Sequence, residues 1–214
     1  DRVIPHPKMV EILKQAYDPC PHFGTCPEAK WLPQEGHVPR GYSGCIGDPA
    51  EVEAVFVLAE PGHPFDDEQY MASAPDEFIE EVTATTAERA SLGATKFHEN
   101  LNWIKEQLWP NADPSEIRRK LWVTESRLCS VDDEIGDPKG GDKSLCAREY
   151  LLPQIEILPN AAVVLFGGKA QRRIGRLLPD ALRVFALSPP GCNQKKARPS
   201  WEAAIKVILE RRTS

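Results

Sequence analysis

The sequence predicts an α/β protein, organised as a three-layer α/β/α sandwich with a central four-stranded parallel sheet. Four short apolar segments that are predicted to be strands alternate with segments of helical periodicity. The strand segments are nearly continuous apolar runs, which is typical of strands buried on both faces of a parallel sheet. Since 214 residues suit one medium α/β core, we expect a single domain over residues 1–214.

The first half of the chain is predicted to contain three helices and one strand. Apolar spacing indicates a helix over residues 3–16, and a loop rich in Pro, Gly and Cys follows over 18–49. A loop of this length is uncommon, so something other than a core is expected to hold it. The strand covers residues 52–58, and helices follow over 66–94 and 97–108.

The second half of the chain is predicted to contain the other three strands and three more helices. Ser200 is expected to cap the last helix, because a serine oxygen accepts hydrogen bonds from the first free helical amides. The strands cover residues 121–124, 161–166 and 182–187, the helices cover 145–158, 169–178 and 200–211, and a loop covers 132–143.

Charge is distributed unevenly along the chain. Residues 1–110 carry 8 Lys and Arg against 19 Asp and Glu, whereas residues 111–214 carry 18 against 13. A net charge of −6 by itself argues against nucleic acid, but a basic second half fits a protein that meets phosphate with one side only. A solvated basic helix end explains the asymmetry equally well.

Membrane insertion and export are not expected. The longest apolar run covers only residues 161–166, far too short for a membrane span, and the first residues lack the apolar stretch of a signal peptide. We therefore expect a cytoplasmic protein. Its six cysteines are predicted to be thiols or metal ligands rather than disulfides.

The chemistry is expected at the carboxyl ends of the strands, where ligands bind in open α/β sheets. Each predicted strand ends in residues suited to turns or polar contacts. These ends are Ala59-Glu60-Pro61-Gly62, Glu125-Ser126, Gly167-Gly168 and Ser188-Pro189-Pro190-Gly191.

The strand ends resemble, in the same order, the motifs of the uracil-DNA glycosylase superfamily. The segment 59–62 resembles its first motif, Glu125 stands where the superfamily has a base-reading Asn, and the segment 188–191 resembles its last motif. The positions of Cys129 and of Cys146, which precedes Leu-Leu-Pro-Gln-Ile, resemble those of the iron–sulfur branch. The resemblance extends over residues 20–208.

This resemblance implies a monofunctional DNA glycosylase, which flips uracil out of DNA and hydrolyses its N-glycosidic bond in base excision repair. The substrate range is expected to extend to other deaminated bases, and the partner is expected to be DNA that carries such a base. The protein is expected to act as a monomer on the nucleoid of a bacterial-type cell, with no membrane partner.

Glu60 is predicted to be the catalytic carboxylate. An oxocarbenium-like sugar forms as the base leaves, and a nearby carboxylate stabilises that charge and can take a proton from water. The iron–sulfur branch more often has this Glu one position earlier, where this chain has Ala59. The alternative is a strand-end Glu that caps local amides. Ala59, Pro61 and Gly62 are predicted to line the base pocket.

Glu125 is predicted to read the base in place of the superfamily's Asn. A neutral carboxylic acid offers one donor and one acceptor, as an amide does, and burial raises a carboxyl pKa. The same pattern would read hypoxanthine or xanthine. The alternative is a solvated Glu that pairs with the neighbouring Arg127.

Two further groups are assigned from the resemblance. An aromatic ring is expected to stack on the flipped base, and Phe65 and Phe97 are the candidates. For each ring, the alternative is that it only packs in the core. The last motif and its basic loop are expected to grip DNA, unless they are a plain connection. The residues predicted to bind DNA are Ser188, Pro189, Pro190, Lys195, Lys196 and Arg198.

Four cysteines match the order of the iron–sulfur ligands in the resemblance, which implies a 4Fe–4S cluster. The first pair is separated more widely than in the family. A tetrahedral zinc site is one alternative to the cluster, and four free thiols are the other. The predicted ligands are Cys20, Cys26, Cys129 and Cys146, with Cys45 and Cys192 left unligated.

Two other functions fit the sequence. The altered first motif, Glu125 and the absence of the superfamily's His from the last motif favour a catalytically silent iron–sulfur module that binds nucleic acid. His63 and His98 are the candidates for a replacement imidazole. An unrelated nucleoside- or nucleotide-handling enzyme is the third function, although no phosphate-cradling Gly-rich loop supports it.

Overall fold

The sheet contains the predicted parallel core and one additional strand. A computed structural model describes residues 3–26, 29–130 and 141–212, and within them five strands are ordered β1-β3-β2-β4-β5. β2 pairs in parallel with β3 and β4, β4 pairs in parallel with β5, and β1 pairs antiparallel with β3. The strands are β1 (Ser43–Gly44), β2 (Ala54–Leu58), β3 (Leu121–Glu125), β4 (Ala162–Phe166) and β5 (Leu182–Val184).

The predicted count of four strands is therefore wrong by one. The extra strand, β1, has only two residues and comes from the segment predicted to be a loop over 18–49. Its sequence has no apolar run of strand length, so no local pattern indicates a strand. The strand forms because this segment pairs with the distant β3. The sheet is mixed, with four of its five strands parallel.

Seven α-helices are present in the described part of the chain. Each predicted helix has a counterpart, although a π-helical turn over Ala147–Leu151 forms the first part of the helix predicted over 145–158. The helix over Pro114–Lys120 was not predicted. It begins after Asp113, whose side chain accepts a hydrogen bond from the Glu116 amide. The helices are α1 (Pro7–Lys14), α2 (Pro75–Leu92), α3 (Lys96–Leu108), α4 (Pro114–Lys120), α5 (Leu152–Glu156), α6 (Gly167–Ile174) and α7 (Ala197–Arg211).

α1 and α2 begin later than predicted, at Pro7 and Pro75, and the starts of α6 and α7 also differ from their predictions. α6 begins at Gly167, directly after β4, so the predicted Gly-Gly turn is the first turn of the helix. α7 begins at Ala197 rather than Ser200. Ser200 Oγ instead accepts from the amide of Phe185 at 3.1 Å, which links α7 to the end of β5. Most of the loop predicted over 132–143 lies outside the described residues.

Helices cover both faces of the sheet. Val55 and Val57 of β2 belong to one apolar cluster, which includes buried residues of α1, α2 and α6. Ala54 and Phe56 point the opposite way, into a second cluster built with α3 and α7. Because side chains alternate along a strand, each face of the sheet has its own core. Among the described helices, none combines the length and the apolar character that a membrane span requires.

The start of α6, directly after β4, packs closely against the segment that follows β5. Gly167 has φ +83° and Gly191 follows the two prolines, and a Cβ on either would lie within 3.0 Å of the Ala186 Cβ. Glycine is therefore required at both contacts. Since β2, β3, β4 and β5 run in parallel, all four predicted motif ends lie at one edge of the sheet, which we call the carboxyl edge.

A buried glutamine links β3 to α5. Gln154 is fully buried, and its Oε1 accepts from Trp122 Nε1 at 3.0 Å and from Thr124 Oγ1 at 2.8 Å. Both donors are also fully buried. The glutamine therefore satisfies two polar groups that the core would otherwise leave without a partner.

We expect Gln154→Ala to lower the free energy of unfolding by about 3 kcal/mol, because two buried donors lose their acceptor. Chemical denaturation measures this loss. Gln107→Ala, at an exposed position of α3, is the matched control and should change stability by less than about 0.5 kcal/mol. Equal effects of the two substitutions would contradict the role given to Gln154.

Candidate active site

The ends of β2 and β3 bring Glu60 and Glu125 to the same part of the carboxyl edge. Leu58 lies opposite Glu125 in the parallel register. Beyond the strands, the Ser126 amide donates to Leu58 O at 2.8 Å, and Ser126 Oγ donates to Ala59 O at 2.7 Å. The two strand ends are thus joined by hydrogen bonds up to the residue before Glu60.

Glu60 is buried and paired with two cations. Its side chain is 7% exposed, and its oxygens accept from Lys169 Nζ at 2.8 Å and from Arg173 Nη2 at 2.6 Å. Burial by itself raises the pKa of Glu60, but the attraction of Arg173 and the hydrogen bonds from both cations outweigh it and lower the pKa. Glu60 is therefore ionised, and a carboxylate of low pKa is a weak general base.

Arg173 connects this carboxylate to both strand ends. Its guanidinium is 2% exposed, and its Nη1 donates to Ala59 O at 2.6 Å and to Ser126 Oγ at 3.0 Å. Because the guanidinium is planar and rigid, these contacts fix the position of Glu60 relative to β2 and β3. Neither Arg173 nor Lys169 was predicted as a site residue.

Glu125 is buried without a complete set of hydrogen bonds. It is 5% exposed, and within the described residues its Oε2 has no hydrogen-bond partner. Burial raises the pKa of Glu125 well above its ordinary value, the negative charge of Glu60 raises it further, and Arg40 and Arg173 oppose this. The surroundings of Glu125 therefore favour its neutral, protonated form.

A glycine in the predicted loop covers this acid. Gly41 has φ +84°, and a Cβ at this position would lie 2.7 Å from Glu125 Oε1. Only glycine allows both this backbone conformation and this approach. The preceding residue, Arg40, donates through Nη2 to Gly62 O and through Nε to Gly36 O. The segment 36–41 therefore packs against both motif ends.

The two candidate stacking rings lie on different elements. Phe65 follows the first motif and has the Arg89 guanidinium 4.5 Å above its ring centre. Phe97 lies in the first turn of α3 and packs against the apolar cluster of α3 and α7. Asn100, one turn later, donates to Leu187 O at 2.8 Å. Phe97 is thus near the last motif, and Phe65 is near the first.

The predicted DNA-binding loop is exposed at the same edge. Ser188, Pro189 and Pro190 are exposed, and so are Lys195 and Lys196, which form no ion pair within the part of the chain that the structure describes. Arg198 is exposed but stacks on Trp103, with its guanidinium 3.6 Å from the ring centre. The two lysines are therefore better placed for phosphate than Arg198 is.

The four predicted ligand cysteines line one apolar pocket. Cys20 and Cys26 come from the long loop, Cys129 follows β3, and Cys146 lies just before the π-helical turn. The Leu128 amide donates to Cys146 Sγ at 3.4 Å, the kind of hydrogen bond that stabilises a bound thiolate. Cys45 and Cys192 do not line this pocket.

The donor chemistry of this pocket fits a metal group, but the cysteine positions fit it less well. Burial raises the pKa of Cys129, and raises that of Cys146 to about 12, so these thiols are neutral unless a metal stabilises the thiolates. The free space is about 20 Å³, close to that of one water molecule. Within residues 3–26, 29–130 and 141–212, no three His, Cys, Asp or Glu side chains are arranged to hold a metal ion. Binding would therefore require the cysteine side chains to move.

Comparison with known proteins adds no assignment. The chain matches no model of a protein family, and a search of curated proteins finds no match.

Glu125 should make stability depend on pH. The ordinary pKa of a glutamate is 4.5 and that of folded Glu125 is higher, so above pH 4.5 the unfolded chain releases a proton that the folded chain retains. The parent's free energy of unfolding then falls as pH rises towards the folded pKa, by about 1.4 kcal/mol per pH unit for one proton. Glu125→Gln lacks this proton.

We therefore expect Glu125→Gln to gain stability relative to the parent as pH rises above 4.5, by up to about 1.4 kcal/mol per unit until the folded pKa of Glu125 is reached. Urea denaturation at several pH values measures the difference. Glu106→Gln, at an exposed position of α3, is the control, and its free energy of unfolding should depend on pH as that of the parent does. A constant difference between parent and Glu125→Gln would mean that Glu125 is ionised when folded.

Proposed function

We propose that the chain is a monofunctional DNA glycosylase of three-layer α/β/α architecture, which excises uracil from DNA by hydrolysing the N-glycosidic bond. One observation carries this proposal. Two buried carboxyls, Glu60 with a lowered pKa and Glu125 with a raised pKa, lie at adjacent strand ends of the carboxyl edge. Pairs of carboxyls whose pKa values are driven apart are typical of sites that cleave glycosidic bonds.

Glu125 is the base-reading group in this proposal. As a neutral acid it presents an O–H donor and a carbonyl acceptor, which match the O4 and N3–H of uracil as an amide would. Its Oε2, buried and without a partner in the described structure, supplies one of these contacts. A buried polar atom of this kind is satisfied when a ligand enters.

Glu60 acts by electrostatics rather than as a base. Its negative charge is fixed by Lys169 and Arg173, and it stabilises the positive charge that develops on the sugar. The same two cations offset much of that charge, and this favours the second candidate function, a catalytically silent module that binds nucleic acid. An excision assay separates the two functions.

DNA would bind across the carboxyl edge. Lys195 and Lys196 are exposed beside the Ser-Pro-Pro turn, where they can reach phosphates that flank the flipped nucleotide. The acidic first half of the chain does not oppose DNA binding, because Lys195 and Lys196 lie in the last third of the sequence. Binding is then expected to weaken as salt increases.

Cys20, Cys26, Cys129 and Cys146 would hold a 4Fe–4S cluster. When bound, the cluster supplies four metal–thiolate bonds that link the long loop to β3 and to the π-helical turn. The same loop contains Arg40, which donates to Gly62 O, and Gly41, which lies against Glu125. The cysteines therefore position the pocket and do not take part in hydrolysis.

We expect the purified protein to convert a labelled duplex with one uracil into a strand that alkali cleaves at that position. Gly41→Ala should reduce this activity by about 100-fold, because its Cβ displaces Glu125 from the base. Gly93→Ala is the matched control, since Gly93 also has a positive φ of 60° but has open space around it. Binding of the duplex without any cleavage would favour the silent module.

The cysteine pocket gives a separate prediction. The protein prepared without oxygen should be brown, absorb at about 400 nm and contain iron. Cys129→Ser should lose both iron and absorbance, because a ligand is missing. Cys192→Ser, outside the pocket, should keep them. If the parent protein is colourless and contains one zinc ion, the four cysteines hold zinc and not an iron–sulfur cluster.

A further inference from the structure

One exposed cation of the chain is held flat against an aromatic ring. The guanidinium carbon of Arg198 lies 3.6 Å from the centre of the Trp103 ring and 5.8 Å from that of Trp201. A separation of 3.6 Å is that of two planes in van der Waals contact, so the guanidinium stacks on Trp103. Arg198 is nevertheless exposed. The ring therefore covers one face of the guanidinium and leaves the opposite face open.

The described chain has two other arginines that lie over aromatic rings, and both are paired with an acid. Arg212 pairs with Glu53, and Arg89 pairs with Asp67. Arg198 differs from them, because it forms no ion pair and donates no side-chain hydrogen bond within the residues that the structure describes. An acid therefore helps to hold two of the three guanidiniums in place, whereas the guanidinium of Arg198 is held by aromatic contact and remains available to a ligand.

This stack lies at the carboxyl edge of the sheet. Two hydrogen bonds join the first turns of α7 to the residue that follows β5: Ser200 Oγ accepts from the Phe185 amide at 3.1 Å, and Trp201 Nε1 donates to Phe185 O at 2.9 Å. Phe185 is itself 36% exposed, and the exposed Lys195 and Lys196 directly precede α7. The same surface therefore combines exposed positive charge, an exposed aromatic residue and a stacked guanidinium, as surfaces that bind single-stranded nucleic acid do.

We propose that the open face of the Arg198 guanidinium, supported by Trp103, stacks on an unpaired base of single-stranded DNA outside the base pocket. Guanidinium planes and aromatic rings both stack on bases, and a base inside a duplex has no free face to offer. Because Trp103 holds the guanidinium before DNA binds, less entropy is lost on binding. The contact differs from the phosphate contacts of Lys195 and Lys196, since it requires the base. The inference rests on the proposed function for DNA as the partner, but it requires no cleavage.

The test measures binding of a labelled strand of about 15 thymidines, alone and paired with its complement, by fluorescence anisotropy. Arg198→Lys keeps the positive charge but loses the plane, and Trp103→Leu removes the support of the guanidinium. Each should weaken binding of the single strand by at least about 10-fold and change binding of the duplex by less than about 2-fold. Arg212→Lys is the matched control, because Arg212 also lies over a tryptophan, and it should change neither affinity.

Equal losses with the single strand and the duplex would make Arg198 a phosphate contact and would overturn the inference, as would unchanged binding of the single strand by Arg198→Lys. If Trp103→Leu does not fold, Arg198→Lys decides, because it changes an exposed position. Excision from a duplex that contains uracil is a separate measurement. Excision by a parent that does not bind the single strand overturns this inference alone, whereas binding of the single strand that depends on Arg198, without any excision, overturns the glycosylase function alone.

Discussion

The buried guanidinium of Arg173 is the contact on which the rest of the site depends. It bonds at once to Glu60, to Ala59 O and to Ser126 Oγ, and so joins α6 to the ends of β2 and β3. Without it, Glu60 would be a buried charge paired with Lys169 only, and such a charge is costly. Because Arg173 keeps Glu60 ionised, the negative charge of Glu60 in turn raises the pKa of Glu125. The lowered pKa of Glu60 follows from this contact, whereas the raised pKa of Glu125 comes first from burial and only second from the charge of Glu60.

Desolvation has opposite results at the two carboxyls. Burial raises the pKa of both acids. At Glu60 two cations reverse this effect. At Glu125 a glycine backbone lies against the side chain, the charge of Glu60 adds to the effect of burial, and Arg40 and Arg173 oppose it only in part. Two chemically identical side chains at neighbouring strand ends therefore have pKa values shifted in opposite directions. In the proposed function, this difference supplies an anion and a protonated carboxyl without a histidine in the last motif.

The long loop over 18–49 is the part of the chain that the sequence explains least. Its length and composition predict support from outside the core, and it contributes two cysteines to the apolar pocket and packs Arg40 and Gly41 against the strand ends. It also supplies β1 to the sheet edge. A group bound by the cysteines would therefore restrain the same loop that covers Glu125. In the proposed function, such a group would have a structural role and would take no part in the reaction.

Strand and helix periodicities are local properties of the chain, so the four parallel strands, most of the helices and the edge at which the motifs lie could be predicted from the residues alone. Glu60, Glu125 and the four cysteines could be named as candidates because the strand ends and cysteine positions resemble those of a known superfamily. The groups that surround them could not. Lys169 and Arg173 lie 109 and 113 residues from Glu60, and Gly41 reaches Glu125 from a loop without periodicity. Such contacts form when distant segments pack together, and no local pattern records them, so the charge on each acid follows only from the folded chain.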